Sequence, residues 1–274
     1  MRFLFLGDIV GNTGCQVVFE HLPQLIEKWQ LDFVVVNGEN ASDGFGLAQE
    51  TYQDLLMAGV DVVTTGNHAF SHKEAFQYAH ESDRFLRPAN FSKETPGKGA
   101  GVFTAKNGAR VLVANLLGRV FMPYNKVTDP FEIAENILLA CSLMEQADAI
   151  IFDFHAETTS EKQCFGHFLD GRVSVIVGTH THIPTADAQI LEGGSAYLTD
   201  AGMCGDYNSS LGMDKEEPLH RFLYQTKQDR FEPARGPATL CGFAVEISDR
   251  TGLAEKVSAV RIGPHLKPEV PDFW

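Results

Sequence analysis

Residues 173–182 read VSVIVGTHTH: a β-branched apolar run, a glycine, then two histidines one residue apart. Val- and Ile-rich runs of this length form buried strands. A G-x-H-x-H segment at the end of such a strand lets His180 and His182 face one site while Thr181 faces away. Two structural histidines sharing a loop is the plainer alternative. Outward from this segment the same arrangement recurs. LFLGD puts Asp8 behind an apolar run, VVVNGEN does so for Glu39 and Asn40, VVTTGNH for Asn67 and His68, and IIFDFH for His155. Ligands of open α/β sheets gather beyond the carboxyl ends of the strands, so these segments predict one shared site on an α/β fold.

The donor types point to metal. Two ions about 3.5–4 Å apart need a shared anionic ligand, with imidazoles and amide oxygens completing each shell. Glu39 has the best position for the bridge, with Asp8 as the second carboxylate. Local alternatives stand beside each assignment: Asp8 as a helix N-cap, Asn40 as a turn residue, and Asn67–His68 as a turn capping a following helix. Gly7 and Gly11 favour a tight turn around Asp8, and Gly66 a sharp bend before Asn67. Asp153 and Glu157, flanking His155, are candidate acceptors for the imidazoles or simply solvated carboxylates. His21, His72, His80, His167, His220 and His265 lack a strand-end setting and read as surface or packing residues.

Other chemistries fit less well. G-D-I-V-G-N-T-G at 7–14 is not the G-x-G-x-x-G dinucleotide loop, and neither a G-x-S-x-G elbow nor a Walker loop is present. With 22 basic and 36 acidic residues the formal charge is -14, so no extended nucleic-acid surface and no anionic membrane surface are expected. A small phosphorylated substrate stays compatible, because bound cations reverse the sign inside a cleft. The five cysteines form no C-x-x-C pair, the N-terminal apolar run is too short for a signal-peptide core, and no stretch approaches a membrane span. A cytoplasmic location is the expectation.

The 274 residues suit one domain, 1–274. Strands are expected at 2–7, 32–37, 60–64, 111–116, 149–152, 173–177 and 195–200, with helices at 15–29, 48–58, 71–80 and 130–147. Pro23 is awkward inside the first helix, and Asp129-Pro130 opens the last. NFSKETPGKGAG at 90–101 reads as a loop. Residues 240–247 and 255–262 read as a terminal hairpin, and 263–274 shows little pattern.

Six blocks then keep a familiar order: GDIVG (7–11), NGENA (37–41), TTGNHAF (64–70), DFHAETTSEK (153–162), GTHTHIPTAD (178–187) and TDAGMCG (199–205). The chain resembles the calcineurin-like metallophosphoesterases, and within them the YmdB-like cyclic-nucleotide phosphodiesterases. Val10 stands where the wider superfamily has a metal-binding histidine and Glu39 where it has an aspartate; both departures are shared with the YmdB-like subfamily. The resemblance implies an α/β sandwich of two mixed β-sheets flanked by helices. It implies two divalent or mixed-valence ions, iron or manganese, one held by Asp8, Glu39, Asn40 and His182, the other by Glu39, Asn67, His155 and His180. It makes His68 the general acid in hydrolysis of small phosphodiesters, including 2',3'- or 3',5'-cyclic nucleotides, by hydroxide held between the ions. Two other readings remain in view, a phosphomonoesterase or nucleotidase and a metal-stabilised nucleotide-binding regulator without turnover. Homo-oligomerisation is left open.

Overall fold

The computed structural model describes residues 1–123 and 127–274. The first half of the chain contributes β1 (Arg2–Leu6), β2 (Asp8–Ile9), α1 (Gly11–Trp29), β3 (Phe33–Asn37), α2 (Gln49–Met57), β4 (Val62–Thr64), α3 (Ala75–Glu81) and β5 (Phe85–Leu86). The middle contributes β6 (Ala100–Thr104), β7 (Arg110–Leu117), α4 (Pro130–Ala140), β8 (Ala149–His155), α5 (Thr159–Leu169) and β9 (Val175–Thr179). Then follow β10 (Gln189–Ile190), β11 (Ala196–Leu198), β12 (Met203–Cys204), α6 (Glu216–Tyr224), β13 (Leu240–Ile247) and β14 (Ala254–Ile262).

Two six-stranded mixed sheets result, ordered β14-β13-β1-β3-β4-β5 and β10-β11-β9-β8-β7-β6. Each has a parallel centre: β1, β3, β4 and β5 in one, β7, β8, β9 and β11 in the other. Antiparallel strands close the remaining edges. Alternation along each strand explains the layering. Phe3, Phe5, Phe33 and Val35 meet Val113, Ile151, Val175 and Val177 of the other sheet. The intervening Leu4, Leu6, Val34 and Val36 pack outward on Val18, Leu22, Leu25 and Leu55 of α1 and α2. On the far side, Leu116, Ile150, Phe152 and Phe154 pack on Ala134 and Leu138 of α4 and Phe165 and Leu169 of α5. This is an α/β sandwich of two mixed sheets with helices outside both.

Several elements differ from expectation. α1 begins at Gly11, whose φ of 63° suits glycine, so Pro23 lies well inside it and leaves the carbonyl of Phe19 without its helical donor. α4 is capped as expected, with Asp129 accepting from the Phe131 amide at 2.9 Å, but it ends at Ala140 rather than 147. The cause is local: Ser142 binds the Leu138 carbonyl through Oγ (3.2 Å) and the Gln146 side chain through its amide (2.8 Å). Such side-chain bonds compete with the helix. The loop expected at 90–101 gives way at Ala100 to β6, a half-exposed edge strand on β7. The patternless tail ends with Trp274 against Trp29, ring centroids 5.6 Å apart. Helices α5 and α6 lie outside the expected set. Among the described residues no helix is long and apolar enough to cross a membrane.

Phe165 ties α5 to its sheet. Its buried ring stacks on Phe154 (4.1 Å) and meets Phe131 and Phe152 edge-on at 5.4 and 5.9 Å. Phe165→Ala should cost about 3–5 kcal/mol, read as a lower urea midpoint; a loss below about 1 kcal/mol would show that the cluster collapses around the cavity.

Candidate metal centre

Parallel strands of both sheets end at one place. Asp8 follows β1, Glu39 and Asn40 follow β3, Asn67 and His68 follow β4, His155 closes β8, and His180 and His182 follow β9. Nε2 of His155 lies 3.0 Å from Oε1 of Glu39, 3.1 Å from Oδ1 of Asn67 and 3.1 Å from Nδ1 of His180. Ligand atoms of Glu39, His155 and His180 are all within 4.8 Å of one another. Asp8 is buried beside them, its Oδ1 3.8 Å from Nδ1 of His155. Its Oδ2 accepts from the His180 amide at 3.2 Å rather than from a helix terminus, so it is not an N-cap. Asn40 gives its NH2 to the Gly44 carbonyl (3.0 Å), which leaves its oxygen free for another partner.

The groups behind the ligands set their orientation. Nδ1 of His155 meets Oγ1 of Thr179 at 2.9 Å, and Thr179 donates to Oδ1 of Asp153 at 2.7 Å. Because the hydroxyl proton goes to Asp153, Thr179 accepts from Nδ1–H, and Nε2 is the nitrogen turned toward the site. Thr64 (2.6 Å) and Asn37 (2.9 Å) hold the other oxygen of Asp153. Asp153 therefore acts on His155 through Thr179, whereas Glu157 touches the His180 imidazole directly, its Oε2 lying 3.2 Å from Nε2. Gly66 matters for space rather than for a bend. A Cβ there would stand 2.3 Å from Oε2 of Glu39 and 2.4 Å from the His155 ring.

The segment 180–182 is shaped differently from a continuing strand. β9 stops at Thr179, and His180 and His182 take φ values of 96° and 65°, each a conformation that costs a non-glycine residue about 1–3 kcal/mol. Three anchors hold it. Thr181 donates to Oδ2 of Asp200 through its amide (3.1 Å) and hydroxyl (2.8 Å), Asp8 takes the His180 amide, and the Leu211 carbonyl binds Nδ1 of His182 at 2.8 Å. Asp200 is buried and paired with the equally buried Lys162 at 2.7 Å. Sequence reading gives neither residue a role, although the blocks ending SEK and beginning TD contain them; a lysine so close to an apolar helix face is the available signal.

The electrostatics describe a cluster built for cations. Burial opposes ionisation of Glu39, but the adjacent His155 outweighs it and brings the carboxyl down to about 2. Burial also opposes charging of His155, and Glu39 overcomes it, raising the imidazole to about 9. Burial followed by the neighbouring His155 lowers His180 to about 3, which keeps it neutral. Burial lifts Asp8 to about 7 against the pull of His182 and His155. Among the described residues, Oδ1 of Asp8 and Oδ1 of Asn40 are buried without a hydrogen-bond partner, a costly arrangement unless something else pairs with them. Converging oxygen and imidazole donors with two such orphans fit a divalent metal site.

His68 stands apart from the donor group. Its amide donates to Oε2 of Glu39 (3.0 Å), its Nδ1 meets Oγ of Ser71 (3.2 Å), and its ring sits edge-on to Phe45. Burial lowers its pKa, with Glu39 pulling the other way. It lines a cavity of about 380 Å³ together with Glu39, Asn40, His180 and His182. The helix expected from 71 starts at Ala75, so Asn67 and His68 do not cap it.

A two-sheet sandwich with carboxylate, amide and imidazole donors at the strand ends matches the metallophosphoesterase class. Residues 4–260 match the family described as YmdB-like protein. A 2',3'-cyclic-nucleotide 2'-phosphodiesterase of Bacillus subtilis (strain 168) is 43% identical over 262 residues, 96% of this chain and 97% of that protein. A crystal structure of a hypothetical protein from Thermus thermophilus superposes with a TM-score of 0.88 at 39% identity, covering 96% of this chain and 99% of that one. A phosphatase structure from Mycoplasma pneumoniae gives 0.88 at 38% identity, covering 96% and 93%. The chain belongs to the YmdB-like family and is a metal-dependent phosphoesterase.

Two outcomes follow from this geometry. In the metal-free protein His155 holds a proton up to about pH 9, and a cation at Nε2 must displace it. Manganese uptake at pH 7 should therefore release protons, and affinity should climb with pH before levelling near 9. Calorimetric titration in buffers of different ionisation enthalpy measures this, and uptake without proton release would contradict the placement of the cation. Separately, Lys162→Met strands Asp200 as a buried charge and should cost about 3–5 kcal/mol while weakening manganese retention. An unchanged urea midpoint would mean that the pair does not hold the histidine loop.

Proposed function

We propose that this chain hydrolyses small phosphodiesters, cyclic nucleotides among them, at a two-metal centre. The observation that carries the reading is the convergence on Nε2 of His155 of donors from Glu39, Asn67 and His180 at 3.0–3.1 Å, beside the unpartnered oxygens of Asp8 and Asn40. Glu39, Asn67, His155 and His180 would hold one ion; Asp8, Asn40 and His182, sharing Glu39, would hold the other. The chemistry supplied by divalent ions bound there is neutralisation of phosphoryl charge and acidification of water. Nitrogen and oxygen donors without thiolate suit manganese, iron or zinc, and the resemblance favours iron or manganese.

The protein's own residues do the rest. The Glu39 carboxylate fixes the His68 backbone, and Ser71 holds Nδ1, so Nε2 is the nitrogen left to give a proton to the leaving oxygen. The anionic phosphodiester offsets the lowered pKa of His68 by favouring its charged form. Diesters are preferred to monoesters because, among the described residues lining the cavity, no lysine or arginine balances a second substrate charge. The identity of the Bacillus subtilis relative supports the same preference. Five free thiols fit a reducing, cytoplasmic setting.

Manganese- or iron-loaded enzyme should cleave bis-p-nitrophenyl phosphate faster than p-nitrophenyl phosphate. His68→Ala should keep its metal by elemental analysis and lose about 10²–10⁴-fold in turnover. Loss of an ion from that variant would make His68 a ligand, and undiminished turnover would favour a regulator that binds without hydrolysis.

A further inference from the structure

The cavity has a second wall whose chemistry differs from that of the metal-facing residues. Phe45, Leu211, Met213, Phe222 and Phe231 line it. Phe231 is held rigidly, because the Arg221 guanidinium lies 4.0 Å from its ring centroid. That guanidinium is fixed in turn by Glu217 (2.6 Å) and the Asp229 carbonyl (2.8 Å). Glu217 also takes the amides of Gln228 (3.3 Å) and Asp229 (2.9 Å), which binds the segment before Phe231 to α6. Phe222 projects from α6 and is 84% exposed, a large apolar surface left open to water at the cavity mouth. At the inner end Phe45 meets the His68 ring with centroids 5.1 Å apart. An aromatic surface thus runs from the proton-donating His68 toward the solvent.

We infer that this wall is a nucleobase subsite, in which the base of a nucleoside cyclic phosphate stacks on Phe222 and Phe231 while its phosphodiester meets the metal-facing residues. The inference rests on the phosphodiesterase reading and adds to it the residues, Phe222 and Phe231, that set the preference for a base-bearing diester. A phosphoryl group alone needs only the polar wall. The volume of about 380 Å³ is within the ~300–1,000 Å³ range of small-molecule sites. Removing the exposed Phe222 surface from water favours a flat apolar partner, and base–aromatic stacking accepts any base because each has a π-face. The Arg221 guanidinium is already committed to Glu217, Asp229 and the Phe231 ring. The aromatic side chains supply recognition by ring face, with purines ahead of pyrimidines because they cover more area.

The test compares manganese-loaded enzyme on 2',3'-cyclic AMP and on glycerol 1,2-cyclic phosphate, which has the same cyclic diester without a base. Wild type should favour the nucleotide in kcat/KM. Phe222→Ala and Phe231→Ala should each reduce that preference by about 5–150-fold, the equivalent of one lost stack, mainly through KM. Leu223→Ala, exposed on the same helix and outside the cavity, should leave the preference at the wild-type value. Quenching of ethenoadenosine monophosphate fluorescence on binding should weaken in the two phenylalanine variants. Equal wild-type kcat/KM for both substrates, or a preference that survives both phenylalanine substitutions, would overturn the subsite while leaving the phosphodiesterase intact. Hydrolysis of neither substrate would overturn both.

Discussion

Within about 3 Å, one buried imidazole nitrogen meets a buried carboxylate oxygen, and beside them an amide oxygen and a second imidazole nitrogen from half-buried residues. Without a cation, only a proton can reconcile these lone pairs, and Glu39 and His155 share that role as a buried ion pair. The arrangement is unfavourable to assemble, since buried polar groups lose hydration and gain only what their partners return. The two-sheet frame offsets this by bringing the carboxyl ends of parallel strands from both sheets to one locus and surrounding them with a close-packed apolar core.

Behind the donors lies a polar layer that is nearly fully satisfied. Thr64 and Asn37 from one sheet and Thr179 from the other all bond to Asp153, so the relay that sets the His155 tautomer also joins the sheets. Lys162 and Asp200 do the same for the histidine loop, linking α5 to the segment after β11. Fully satisfied networks of this kind rigidify the ligands they hold. The contrast with the cavity's outer side is chemical. The inner side is polar and pre-set, while the outer side is aromatic and partly open, with α6 supplying side chains that water still reaches.

Strand-end placement is readable from local sequence because a buried parallel strand needs a continuous apolar run and a site needs polar residues directly after it. His180 and His182 illustrate how a local rule can name residues yet miss the cause of their orientation. Alternation along a strand would separate them from Thr181, but the backbone instead leaves the strand and turns through positive φ. Local sequence presents Gly66 as the site of a sharp bend, yet it is a gap that the Glu39 and His155 side chains fill. The apolar spacing of α4 continues to 147, whereas Ser142 captures the backbone first.

By itself, the amino-acid sequence determined the α/β class, the strand ends that carry polar donors and the six blocks that identify the family, because each depends on residue type and short-range spacing. Only the tertiary structure decided which donors share a locus, that Asp153 reaches His155 through Thr179, and that Lys162 pairs with Asp200 across 38 residues. It alone also brought Phe45, Phe222 and Phe231 to one cavity. Those relations depend on sheet order and on which side chains find partners when water is excluded, and no local periodicity encodes either.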